Sequence, residues 1–187
     1  MNTRKDLIRD LKRADILLMA NNTLFARWIK ALTKSIYSHV EIYIGAGECV
    51  GATNKGGKGV RIRTIQQNMR RFYRIDICRY PYLYENKTEI VCQEAMNHIG
   101  EKYNYLMLFW FPLMWLFPDK WKNPFVRKEA KVCSELVSRV YKNAGIDLVP
   151  DKVEGQESPG DIAKSLKLKF IGAYIEGHKT KHRKNKQ

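Results

Sequence analysis

A chain of 187 residues with 44% hydrophobic and 11% aromatic content is long and apolar enough for a sizeable core, which excludes a disordered protein. The formal charge of +15 predicts attraction to polyanions such as nucleic acid, anionic lipid or cell-wall polymers, without choosing among them. Part of it lies in the run His178 to Gln187, which has no apolar residue to bury and reads as a disordered basic tail behind one domain over 1–177. The rest is spread over the body, as in Arg61, Arg63, Arg70, Arg71, Arg74 and Arg79.

In chain order, Thr3 to Lys12 suits a short helix and Asp15 to Met19 a first strand. The charged first ten residues lack the apolar core of a secretory leader, so the default expectation is a cytoplasmic protein with reduced thiols. Peripheral membrane association and export by another route stay open. Thr23 is a candidate N-cap for a helix on which Leu24, Trp28, Ile29 and Leu32 recur at helical spacing. Ser38 to Gly45 then alternates as a strand, with Val40, Ile42 and Ile44 on one face and His39, Glu41 and Tyr43 on the other. Glu48 to Thr53 and Val60 to Ile65 complete an antiparallel meander. The glycine-rich loop between them, Asn54 to Gly59, lacks the strand-then-helix setting of a phosphate cradle and reads as a hairpin loop.

Tyr73 to Tyr80 predicts a further strand, and Thr88 to Ile99 an amphipathic helix ending at Gly100. Tyr105 to Phe117 is the one long apolar run, but Pro112 interrupts it. At about 1.5 Å per helical residue it falls well short of a roughly 30 Å hydrocarbon core. It suits core, a lid over a site, or an interfacial patch. A helix over Ala130 to Ala144 puts Cys133, Val137, Val140 and Ala144 on one face and stops at Gly145 and Ile146. Ser158 and Pro159 open another helix, and Lys167 to Ile175 supplies a last strand.

Two of these segments carry chemistry. Cys133 falls in the first turn of its helix, where unpaired N–H groups and the helix dipole favour thiolate. His39 and Glu41 are next neighbours on one strand face, about 6.6 Å apart at Cα, close enough for the carboxylate to fix the imidazole tautomer. A nucleophile, a base and an orienting carboxylate are the parts of a cysteine hydrolase. Cys49, Cys78 and Cys92 lie mid-element, where packing accounts for them, and no CxxC pairing suggests zinc. His98 shares a helix with Cys92 but lies about 240° round its axis and cannot pair with it.

The strings Ala14 to Leu18, Ser38 to Gly45, Gly100-Glu101-Lys102-Tyr103, Cys133 to Val137 and Ser158 to Ala163, in that order, resemble circularly permuted papain-like hydrolases of the YiiX and YaeF type. These are relatives of NlpC-type peptidases and of lecithin:retinol acyltransferase. The permuted branch has histidine before cysteine, as His39 precedes Cys133 here. The resemblance implies an α+β papain-like core, an antiparallel sheet packed against the cysteine helix, with Cys133, His39 and Glu41 catalytic and Tyr103 and Ser134 at the substrate. No cofactor and no metal are expected, the cysteines having neither CxxC pairing nor a His-rich cluster near them. The chain departs from the pattern twice: Glu41 stands where relatives often have glycine, and Gly51 where they often have glutamate before alanine. Three functions stay open: cleavage of an amide in a cell-wall or other short peptide, acyl chemistry on a lipid or ester, and a non-enzymatic basic module binding nucleic acid or membrane. The substrate and the oligomeric state are not legible.

Overall fold

The computed structural model describes residues 8–53, 59–103, 130–131, 133–152 and 157–176. The basic tail, the Tyr105 to Phe117 run and most of the glycine-rich loop lie outside them. Six strands form one antiparallel sheet: β1 (Ile16–Ala20), β2 (His39–Gly45), β3 (Glu48–Thr53), β4 (Gly59–Thr64), β5 (Arg74–Arg79) and, last in the chain, β8 (Lys169–Ile175). Their order is β4-β3-β2-β1-β5-β8. The meander β2-β3-β4 is the one that alternation and tight connections predict. A separate pair, β6 (Lys102–Tyr103) and β7 (Ala130–Lys131), runs parallel.

β1 is apolar on both faces because both are covered. Ile16 and Leu18 join a cluster with Val40, Ile42, Val50 and the cysteine helix α4 (Cys133–Asn143). Leu17 and Met19 join a second cluster with Tyr43, Cys49, Ile65, Met69 and Phe72. The second cluster is contributed in part by α2 (Ile65–Arg71), which directly follows β4. The sheet is thus a middle layer, with α4 and α3 (Glu85–Asn97) supplying apolar residues to one face and α2 to the other.

The helix ends follow local chemistry. Thr23 accepts from the Ala26 N–H at 3.2 Å and starts α1 (Leu24–Leu32). Its apolar spacing leads one to expect a buried stripe, yet only Ala26 is buried and Leu24 is 82% exposed. Phe25, Ala26 and Ile29 face a cavity instead. α4 begins at Cys133 rather than Ala130, because Ala130 and Lys131 are drawn into the strand pair with β6. It ends as expected: the Gly145 N–H bonds to the Lys142 carbonyl and the Ile146 N–H to that of Tyr141, with Gly145 at a φ of 80°. Ser158 and Asp161 form a reciprocal cap on α5 (Pro159–Ala163).

Candidate active site

Cys133 is the first residue of α4 and His39 the first of β2, so the packing of α4 on β2 brings the two element starts together. Cys133 lies close enough to the His39 ring for its charge to act on it. The ring's Nε2 lies 3.0 Å from Glu41 Oε1. Glu41 is fully buried, and its second oxygen accepts a 2.6 Å hydrogen bond from Asn68 Nδ2 on α2. The His39 ring stacks on Phe72 at 5.4 Å between centroids, with the planes 3° apart. Imidazole orientation is therefore held by a carboxylate at one edge and an aromatic face beneath. Burial alone lowers the proton affinity of His39, but the negative charge available on Cys133 and then Glu41 outweighs it and pushes the pKa up to about 10.

Beside His39 opens a cavity of about 320 Å³. Its lining includes Thr23, Phe25 and Ala26 from the start of α1, together with Ser38, Arg71 and Phe72. The remaining expected site residues are Ser134 and Tyr103. Ser134 is buried and its hydroxyl donates to the Glu157 carbonyl at 2.5 Å, which ties α4 to the segment before α5. Tyr103 pairs in register with Lys131, two residues before Cys133. His98 is engaged by Glu101 and Glu94. Asn68 was not legible as a site residue, although the Thr64-x-x-Gln67 capping box that opens its helix is a sequence signal.

Residues 10–157 match the model of the permuted papain-like amidase enzymes, the YaeF/YiiX, C92 family. The chain belongs to this amidase family. Among solved structures it is similar to the crystal structure of metalloprotein YiiX from Escherichia coli O157:H7, at 17% identity and a TM-score of 0.60, over 87% of this chain and 97% of that one. No curated protein matches it. The amidase family assignment fits the mixed α and antiparallel β architecture, with the histidine strand ahead of the cysteine helix. Among the described residues no three His, Cys, Asp or Glu side chains converge as metal ligands, and no helix is long and apolar enough to cross a membrane.

The three other thiols of this amidase sit in different surroundings. Burial pushes Cys78 up to about 12 and Cys92 upward. Burial and the nearby Glu41 charge push Cys49 far above the ordinary range. These thiols are held protonated, and none has a histidine partner among the interactions that shift it.

Proposed function

We propose that the protein is a cysteine amidase in which Cys133 is the nucleophile, His39 the acid–base group and Glu41 the orienting carboxylate, acting on an amide in a short peptide-like substrate. The observation that carries this reading is the chain of contacts Cys133–His39–Glu41–Asn68 at the meeting of two element starts. With Nε2–H donated to Glu41, Nδ1 is the nitrogen left for the thiol. Nδ1 already carries the proton drawn from the thiol, as the raised His39 pKa favours, when sulfur bonds to the carbonyl carbon, whose oxygen becomes an oxyanion. Backbone N–H groups at the start of α4, including that of Cys133, are the donors for that charge. Collapse breaks the C–N bond as the imidazolium gives its proton to the departing amine. Water then attacks the thioester, His39 takes its proton, and the C–S bond breaks to release the carboxylic acid. Tyr103 and Ser134 fit support of the helix start, Ser134 through the Glu157 segment.

The test uses iodoacetamide labelling with peptide mapping and turnover of an amide substrate found by screening. Cys133 is expected to be alkylated ahead of the other three thiols. Cys133→Ala and His39→Ala should each abolish turnover, and the double variant should lose little more, because the pair acts as a unit. Full activity in Cys133→Ala refutes the reading.

A further inference from the structure

The cavity beside His39 has a chemistry that the reaction above leaves unused. It is bounded by His39 and not by Cys133. In acyl transfer the acyl carbon bonds to sulfur, and the amine departs toward the group that protonates it. On the proposed reading the cavity therefore lies on the leaving-group side.

Three features of its wall suit an anion. Arg71 is the one Lys or Arg in its wall, and no Asp or Glu lines it. The guanidinium lies 5.9 Å from the Phe72 ring, and among the described residues no carboxylate pairs with it. The Ser38 hydroxyl, in a residue only 6% exposed, lines the cavity and has no hydrogen-bond partner among the described residues. A buried hydroxyl left so is destabilising, and a bound acceptor relieves it. The start of α1, capped by Thr23, also faces in, with no acidic residue in its first turn. Around these groups Phe25, Ile29 and Phe72 supply apolar wall. The volume lies at the small end of the roughly 300–1,000 Å³ range of small-molecule sites.

We infer that this cavity is a leaving-group subsite for an apolar amino acid with a free carboxylate, so that the substrate is an N-acylated amino acid or the C-terminal bond of a short peptide. The planar guanidinium of Arg71 and the Ser38 hydroxyl take the two carboxylate oxygens, and the apolar wall takes the side chain. This rests on the Cys133–His39 reading, and its test needs no turnover. Alkylation of Cys133 by iodoacetamide is timed in the full chain with hydrocinnamate, hydrocinnamamide or phenyl phosphate as protectant, three probes sharing one ring. Hydrocinnamate is expected to protect at least about tenfold better than the amide, as loss of a charge-assisted bond implies. Arg71→Gln should erase that difference and Arg71→Lys keep part of it, each read against its own unprotected rate. Equal protection by acid and amide in the native chain, or none by either, overturns the inference while leaving the nucleophile in place. Better protection by phenyl phosphate overturns the carboxylate in favour of a phosphate. If Cys133 is not labelled ahead of the other thiols, the nucleophile reading falls and the subsite with it.

Discussion

Glu41 has room beside His39 because the position facing it on the next strand has no side chain. The pairing of Ile42 with Val50 places Glu41 opposite Gly51, and a Cβ built on Gly51 falls 2.3 Å from Glu41 Cγ. No relaxed contact is that short, so the glycine serves space rather than an unusual backbone angle. Glu41 and Gly51, the two positions at which the sequence departs from the pattern it resembles, thus face each other on neighbouring strands. Both departures were legible in the sequence, as were Cys133 and His39. Their relation was not, since it depends on strand register. Gly51→Ala is expected to drive the carboxylate off the ring and lower turnover at least about tenfold, in line with the large effects of disturbing an orienting carboxylate. Losing that negative neighbour removes a contribution that raises the ring, so His39 should give up its proton below the present value of about 10. An NMR titration of the His39 ring reads this directly. An unshifted titration in a folded Gly51→Ala protein refutes the dependence on Gly51.

At the scale of elements, α2 is what alternation overlooked. The strand pattern runs on through Ile65, whose side chain is fully buried, and so hides a helix that starts there. Thr64 accepts from the Gln67 N–H at 3.2 Å while Gln67 Oε1 accepts from the Thr64 N–H at 3.1 Å, which ends the strand at Thr64 and starts the helix at Ile65, the last residue of the expected strand. That start sets where Asn68 meets Glu41. For α1 the helix was legible but its buried face was not, since of the residues Leu24, Trp28, Ile29 and Leu32 only Ile29 lines the cavity and Leu24 is exposed. Thr64→Ala should cost about 1 kcal/mol, lowering the melting temperature by about 2–4 °C in a chain of this size. It should also reduce turnover, by loosening Asn68. Thr64→Ser, which keeps the hydroxyl, should restore both. Thermal melts and rates on the same variants check it, and a Thr64→Ala protein with full stability shows that the box is decorative.

For the molecule as a whole, local pattern revealed the strands and the layer they form but not their order. β1 lies between β2 and β5, and β8 returns from the end of the chain to the edge beside β5, pairings set by long-range packing that no window of sequence contains. One polar contact fixes that centre. Asp15, fully buried just before β1, accepts from Arg79 Nε at 2.6 Å and Nη2 at 2.7 Å, and from the Lys12 N–H at 2.7 Å. Arg79 also donates to the Asp10 carbonyl, so the pair ties the N-terminal segment to the ends of β1 and β5. Burial pushes the Asp15 carboxyl up, and Arg79 is the main opposing influence. Arg79→Leu should leave a buried charge unpaired and cost about 3–5 kcal/mol at neutral pH. The sign of its pH dependence follows from proton uptake. Without Arg79 the folded carboxyl titrates higher still, so the folded state holds a proton that the unfolded chain has already lost. Stability of the variant then rises as pH falls from neutral toward the ordinary carboxylate range, and its deficit against the native chain shrinks. Urea unfolding at pH 8 and pH 5 measures both deficits. Adding Asp15→Asn should recover part of the loss at pH 8 and little at pH 5, because at the lower pH the carboxyl is already largely neutral. A deficit of equal size at the two pH values would instead make Arg79 a packing residue, with the charge on Asp15 incidental to the fold.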